Sequence, residues 1–183
     1  MFTKKEVLSI PNILCYLRIL LVPVFVYIYF KTEIDDAHFL SAFIVIISSI
    51  TDFLDGYIAR KYDMVTDLGK LIDPIADKLT QFVIACTLVH TYPAYIWMVI
   101  IIVLKDGMLL FVGYYILRKT GKHLDQAQLP GKVATAVFFV ISIILIAFSV
   151  PYVFANIMIY VTVFLMVLAM IHYGRGLYQL SQE

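Results

Sequence analysis

Long apolar stretches, separated by short polar connections, extend through almost the whole of this 183-residue chain. A helix that crosses a membrane needs about 20 predominantly apolar residues. Six segments of about that length are present: 11–30, 38–59, 68–90, 93–117, 131–150 and 151–173. The third is the least apolar, because Asp73, Asp77 and Lys78 interrupt it. The pattern predicts an all-α integral membrane protein, a bundle of six transmembrane helices that forms one domain over residues 1–183.

The N-terminal residues allow two interpretations. Residues 3–10 could form a short interfacial helix, with Lys4 and Lys5 at the lipid headgroups and Val7 and Leu8 in the lipid. A plain flexible terminus is the alternative. The apolar run that follows lacks a small-residue cleavage site, which favours a retained first helix over a signal peptide.

Basic residues are concentrated on one side of the predicted bundle. They are Lys4, Lys5, Arg60, Lys61, Arg118, Lys119, Lys122 and Arg175. The connections on the other side, around 31–37, 91–92 and 150–151, contain a single basic residue, Lys31. Because basic connections tend to stay in the cytoplasm, we expect a multi-pass protein of the cell membrane with both termini on the cytoplasmic side.

The composition agrees with a polytopic membrane protein, since 62% of the residues are hydrophobic and only 15% are charged. The net charge of +1 provides no overall basic field, so nucleic acid is not an expected partner. Cys15 and Cys86 lie in apolar segments without metal-ligand spacing. We therefore expect both to be reduced residues of the core.

The most polar part of the apolar region has a regular spacing. It reads Asp52-x-x-Asp55-Gly56-x-x-Ala59-Arg60, then eight residues, then Gly69-x-x-x-Asp73-x-x-x-Asp77. A carboxylate at membrane depth is costly and indicates a functional site. Residues three or four apart share a helix face, so two facing carboxylate pairs could hold one or two hard cations such as Mg²⁺.

A structural interpretation of these acids is also available. They could cap helices or pair with Arg60, Lys70 and Lys78. Four acids that converge at a membrane surface would repel one another without cations between them, which favours the metal site.

This motif resembles the signature of the CDP-alcohol phosphotransferases, membrane enzymes of phospholipid synthesis, with all eight fixed letters at the family spacing. The resemblance implies transfer of a phosphatidyl group from CDP-diacylglycerol to an alcohol, with release of CMP. It implies two divalent cations, Mg²⁺ or Mn²⁺, with Asp52, Asp55 and Asp73 as ligands. Asp77 would be a further ligand and the general base for the acceptor hydroxyl. A homodimer among membrane lipids is also implied.

The same resemblance assigns a set of residues to the CDP-diacylglycerol donor: Asn12, Arg18, Asp52, Gly56, Ala59, Arg60, Thr66 and Gly69. Simpler roles exist for some of them. Gly56 and Ala59 could be ordinary helix-packing residues. Arg60 could be a positive-inside anchor, and Arg18 could extend to the interface.

The acceptor is less well defined. Cations suited to an acceptor phosphate are Lys70, Lys105, Arg118, Lys132 and Arg175. The Lys-Asp pair at 105–106 departs from the Arg-Glu usual in glycerol-phosphate-using relatives. The stretch Lys-Val-Ala-Thr-Ala at 132–136 and the closing His-Tyr-Gly-Arg at 172–175 resemble the eukaryotic-type cardiolipin synthases.

Both glycerol 3-phosphate, which would give phosphatidylglycerophosphate, and phosphatidylglycerol, which would give cardiolipin, therefore remain open as acceptors. Serine and inositol phosphate are alternatives. A small ion or proton transporter is a hypothesis from another class, but it leaves the spacing of Gly56, Ala59, Arg60 and Gly69 unexplained.

Overall fold

The computed structural model describes residues 7–31, 36–120 and 129–182, and these ranges contain helices and no strands. Within these ranges, six longer α-helices and a short 3₁₀-helix follow one another. They are α1 (Ile10–Phe30), α2 (Ala37–Lys61), α3 (Asp67–Thr91), the 3₁₀-helix Pro93–Tyr95, α4 (Ile96–Thr120), α5 (Leu129–Ala147) and α6 (Tyr152–Gln182). The predicted all-α fold is confirmed. The proposed interfacial residues Lys4 and Lys5 lie outside the described ranges.

Four helical segments among these residues are long and apolar enough to cross a membrane. They are Ile10–Phe30, Ala37–Lys61, Pro130–Ala147 and Tyr152–Arg175. The protein is therefore a multi-pass membrane protein. α3 carries the charges of Asp73, Asp77 and Lys78, which interrupt its apolar run, and membrane spans for α3 and α4 stay predictions.

The chain divides into two compact units. The first consists of Met1–Thr87 with Ile143–Ser149, and the second of Leu88–Ser142 with Val150–Glu183. In the first unit, α1 packs along α2. The small residues Ser41 and Ala42 of α2 are buried. In the second unit, α4 packs against α6.

The connection between α2 and α3 is tight and joins the two halves of the acidic motif. Asp63 adopts a left-handed conformation with φ 52°, and the Met64 amide donates to the Ala59 carbonyl at 2.9 Å. This pattern matches a Schellman motif, which ends a helix and reverses the chain. Thr66 then caps α3, because its Oγ1 accepts a hydrogen bond from the Gly69 amide at 2.9 Å.

In the second unit, polar groups and small residues organise the packing. The Tyr95 hydroxyl lies 2.8 Å from Ser142 Oγ, and both side chains are buried. Gly131 packs directly against the Tyr173 ring, and a Cβ added at this glycine would meet the ring and its hydroxyl.

Both cysteines are free, as expected, but only one belongs to the core. Cys15 is buried, whereas Cys86 is exposed on α3, so the prediction of a core position for Cys86 is wrong. An apolar neighbourhood in the sequence does not decide burial in a membrane helix, because its lipid-facing side is apolar as well.

Candidate active site in the first unit

Three of the four motif aspartates surround one arginine of α1. Arg18 Nη1 lies 2.6 Å from Asp52 Oδ1 and 3.6 Å from Asp73 Oδ1. Its Nη2 forms an ion pair with Asp55 Oδ2. Carboxylates from α2 and α3 therefore converge on a single cationic group.

The acidic cluster has a buried end, its base, and a solvent-exposed end, its mouth. The side chains of Arg18 and Asp55 are 2% and 4% exposed. The side chains of Asp52 and Asp73 are 45% and 51% exposed. At the base, the thiol of Cys15 donates to Asp55 Oδ2 at 3.3 Å. A ligand that enters from the mouth would therefore meet Asp52 and Asp73 first.

Asp77 belongs to the same electrostatic cluster. The Asp77 carboxylate interacts electrostatically with Asp52, as the carboxylates of Asp55 and Asp73 do. One guanidinium cannot neutralise the three carboxylates that it contacts, so an excess of negative charge remains around Arg18.

The donor atoms in this cluster fit a hard divalent cation. The carboxylate oxygens of Asp55 and Asp73 lie within 4.8 Å of each other and of the Cys15 sulfur. Clustered carboxylate oxygens suit Mg²⁺ and Mn²⁺. In the alternative interpretation, the motif acids pair with nearby basic residues. This is not supported at Lys70, because Lys70 pairs with Asp67 at 3.0 Å instead.

Two contacts of this cluster were not expected from the sequence. The resemblance implies donor binding for Arg18, with extension to the membrane interface as the alternative. The sequence predicts a reduced core residue at Cys15. In the structure, both side chains contact Asp55. The signal was present in α1, where Asn12, Cys15 and Arg18 recur at intervals of three residues. That interval places them along one helix face.

A cavity of about 180 Å³ opens beside the acidic cluster. Its lining includes six residues that the resemblance to the family implies for the donor: Asn12, Gly56, Ala59, Arg60, Thr66 and Gly69. Cys15, Asp55, Lys70 and Asp73 also line it. Small-molecule pockets usually measure about 300–1,000 Å³, so this one would enclose part of a nucleotide lipid rather than all of it.

Gly56 is not required by the packing of the protein. A Cβ at this position would lie 3.5 Å from Arg60 Nη2, an ordinary van der Waals distance. The Arg60 side chain extends over Gly56 and is exposed at the cavity. The Arg60 guanidinium therefore lies directly above Gly56, and a ligand that binds there would contact it.

Gly69, Thr66 and Asn12 contact one another. Asn12 Nδ2 donates to Thr66 Oγ1 at 3.1 Å, across 54 positions of the sequence. A Cβ at Gly69 would lie 2.7 Å from Asn12 Oδ1 and 3.0 Å from Thr66 Oγ1. Gly69 is therefore required by the packing, unlike Gly56.

The residues proposed for the acceptor are divided between the two units. Lys70 belongs to the first unit and is exposed, while four residues belong to the second: Lys105, Arg118, Lys132 and Arg175. Lys105 is only 5% exposed, and its Nζ lies 3.6 Å from Asp106 Oδ1. The other three residues of the second unit in this set are exposed: Arg118, Lys132 and Arg175.

Several known proteins are similar in sequence to this chain. A CDP-diacylglycerol--glycerol-3-phosphate 3-phosphatidyltransferase of Bacillus subtilis is 32% identical over 177 residues, which cover 88% of this chain and 91% of that protein. An enzyme of the same name from Rickettsia typhi is 48% identical over 71 residues, but these cover only 39% of each chain. A cardiolipin synthase (CMP-forming) of Streptomyces coelicolor is 33% identical over 135 residues, or 71% of this chain and 61% of that protein.

The comparison with protein families covers most of the chain and includes every residue of the acidic motif. The CDP-alcohol phosphatidyltransferase family matches residues 8–168. The chain therefore belongs to the CDP-alcohol phosphatidyltransferase family.

Proposed function

We propose that this protein transfers the phosphatidyl group of CDP-diacylglycerol to glycerol 3-phosphate, giving phosphatidylglycerophosphate and CMP. The observation that carries the proposal is the convergence of Asp52, Asp55 and Asp73 on one point beside the cavity that Gly56 and Arg60 line. Membership of the family and the printed names of the Bacillus and Rickettsia relatives support it.

The residues divide the chemistry between them. The space over Gly56 and Ala59 admits the cytidine, and the Arg60 guanidinium contacts phosphate oxygens of the donor. The Asp77 carboxylate takes the proton from the acceptor hydroxyl. The acceptor oxygen then forms a bond to the phosphatidyl phosphorus, the bond from this phosphorus to the CMP oxygen breaks, and CMP leaves as an anion. No covalent intermediate with the protein is needed.

Asp52, Asp55, Asp73 and Asp77 are the residues that would hold two divalent cations, Mg²⁺ or Mn²⁺. When bound there, such cations neutralise the donor diphosphate and stabilise the leaving phosphate. Support comes from the three carboxylates that surround the single Arg18 guanidinium and from the exposure of two of them, Asp52 and Asp73.

Transfer to phosphatidylglycerol, giving cardiolipin, is the second candidate. The Streptomyces coelicolor relative carries that name, and its match extends over 71% of this chain. The match to the Bacillus subtilis glycerol-phosphate enzyme extends further, over 88%, and we favour glycerol 3-phosphate for that reason. The candidate cations for an acceptor phosphate remain Lys70, Lys105, Arg118, Lys132 and Arg175.

The proposal includes a cell-membrane location with the acidic cluster on the cytoplasmic side, where nucleotides and Mg²⁺ are found. The distribution of Lys and Arg supports this orientation. The family match over residues 8–168 supports one catalytic domain. A homodimer in the lipid bilayer completes the proposal, on the resemblance to the family.

An acceptor panel tests the function. Purified protein in detergent is given CDP-diacylglycerol, Mg²⁺ and either glycerol 3-phosphate, phosphatidylglycerol, serine or inositol phosphate. CMP release is measured, and the lipid product is identified by mass spectrometry. Phosphatidylglycerophosphate is the expected product. Cardiolipin as the main product would replace the favoured acceptor, and absence of CMP with every acceptor would overturn the proposed function.

A further inference from the structure

We propose that Asn12 and Thr66 are positioning residues that hold the first turn of α3 against α1, and that Gly69 is glycine because the Asn12 amide occupies the space of a side chain. The resemblance to the family implies contacts with the donor lipid for all three. The inference concerns the same site and rests on the proposed function only where activity is the readout.

The Thr66 hydroxyl forms hydrogen bonds within the protein. Thr66 Oγ1 accepts from the Gly69 amide at 2.9 Å and from Asn12 Nδ2 at 3.1 Å. It also lies 3.3 Å from Oδ1 of the same Asn12 amide. Both lone pairs of a hydroxyl can accept hydrogen bonds, and here both are used by groups of the protein itself.

Asn12 is placed to act on α3 rather than on a ligand. It lies in the first turn of α1, directly after Pro11, and is only 1% exposed. A buried amide is costly unless it is hydrogen-bonded, so its pairing with Thr66 is a strong constraint on both helices. Asn12 thus joins the start of α1 to the start of α3.

Gly69 allows this contact. A Cβ at position 69 would lie 2.7 Å from Asn12 Oδ1, a distance that real Cβ atoms do not adopt. Either Asn12 or the first turn of α3 would have to move. Gly107 is different, because a Cβ there would meet no atom within 4 Å.

The contact matters for chemistry because Asp73 lies one helical turn beyond Gly69. The Asp73 carboxylate lies 3.6 Å from Arg18 Nη1, and Arg18 belongs to the same helix as Asn12. α1 therefore contacts α3 twice, through Asn12 at Gly69 and through Arg18 at Asp73. The contact at Gly69 sets the position of Asp73. A displacement of about 1 Å in a catalytic group can lower a rate by about a hundredfold.

The first test uses Gly69→Ala, Asn12→Ala and the double variant, with Gly107→Ala as the matched control. Gly69→Ala should lower kcat for CMP release by about tenfold to a hundredfold. Asn12→Ala removes the oxygen that a Cβ at position 69 would meet, so the double variant should be more active than Gly69→Ala alone. Gly107→Ala should behave as the wild type.

The second test separates positioning from donor binding at Thr66. Thr66→Ser keeps the hydroxyl and should retain most of the activity, whereas Thr66→Val keeps the shape and loses the hydrogen bonds. A positioning role predicts that Thr66→Val lowers kcat and leaves the KM for CDP-diacylglycerol unchanged. A rise in that KM with kcat unchanged would return Thr66 to the donor site.

Thermal unfolding of the same variants tests the contact between Asn12 and Gly69 without measuring the reaction. Gly69→Ala should lower the Tm, and Asn12→Ala should lower it by less in the Gly69→Ala background than in the wild type. Additive changes in Tm would overturn the contact even if the enzyme is active. If the wild type releases no CMP with any acceptor, the proposed function fails while the Tm comparison still decides the contact.

Discussion

The guanidinium of Arg18 forms an ion pair with the Asp55 carboxylate at the base of the acidic cluster, where both side chains are almost completely excluded from solvent. Removing one partner of a buried ion pair leaves an uncompensated charge and costs about 3–5 kcal/mol. The same guanidinium also reaches Asp52 and Asp73, the carboxylates proposed for metal. A divalent cation bound by these carboxylates would therefore share them with Arg18.

We expect Arg18→Gln to destabilise the protein by about 3–5 kcal/mol in the absence of added divalent cation. Mn²⁺ should then raise the Tm of this variant by more than it raises the wild-type Tm, because the cation replaces the lost positive charge. Thermal unfolding across a Mn²⁺ titration measures both effects. Lys61→Gln, at an exposed lysine stacked on Tyr57, is the control. Equal Mn²⁺ effects on Arg18→Gln and the wild type would show that Arg18 and the cation do not share carboxylates.

Asp73→Asn keeps the size of the side chain and removes its anionic charge. We expect it to lower CMP formation by roughly a hundredfold to a thousandfold, because a charge that balances the reaction centre is lost. The protein should remain folded, since this side chain is half exposed. Asp36→Asn, outside the acidic cluster, should be fully active. Near-normal turnover by Asp73→Asn would contradict the metal site.

Gly56→Leu should fill the space over α2 in which the nucleotide is proposed to lie. We expect the KM for CDP-diacylglycerol to rise by at least about tenfold, which corresponds to about 1.4 kcal/mol of binding free energy. Ala59→Leu should act in the same direction. Ala136→Leu, at an exposed position of α5, is the control. An unchanged KM and kcat in Gly56→Leu and Ala59→Leu would assign both small residues to helix packing.

The orientation in the membrane can be tested with single cysteines in a variant that lacks Cys15 and Cys86. A cysteine at Asp36 should react with an impermeant reagent in intact cells, since the positive-inside distribution places it outside. One at Lys122, which lies beyond the described ranges, should react only after lysis. The reverse pattern would place the acidic cluster on the outer side.

The acceptor proposal is tested most cleanly at Lys132, which is exposed. Lys132→Ala should raise the KM for glycerol 3-phosphate and spare the KM for CDP-diacylglycerol. Lys105→Ala should act similarly but also lower stability, because Lys105 is buried beside Asp106. Added salt should strongly weaken the binding of a small charged acceptor, because the screening length falls from about 10 Å at 0.1 M to about 3 Å at 1 M. If both variants bind the acceptor normally, these lysines serve only as positive-inside membrane anchors.

Much of the architecture was accessible from the sequence. The apolar pattern predicted the six helices, and their observed bounds differ from the predicted ones mainly at the ends. The spacing of the motif predicted that Asp52 and Asp55 share a face, and both reach Arg18. These features are local: helix periodicity and the cost of charge in a membrane act over a few neighbouring residues.

The contacts that organise the site were not accessible in this way. Arg18 and Asp55 are 37 positions apart, and Asn12 and Thr66 are 54 apart. The sequence contained no rule that paired them, and it treated Cys15 and Cys86 alike although only Cys15 is buried at the cluster. The helix period shows which residues share a face, but the rotation and register with which α1 meets α2 and α3 select the partners of that face. That selection depends on close packing of side chains across helices, which pairwise spacing along one helix does not encode.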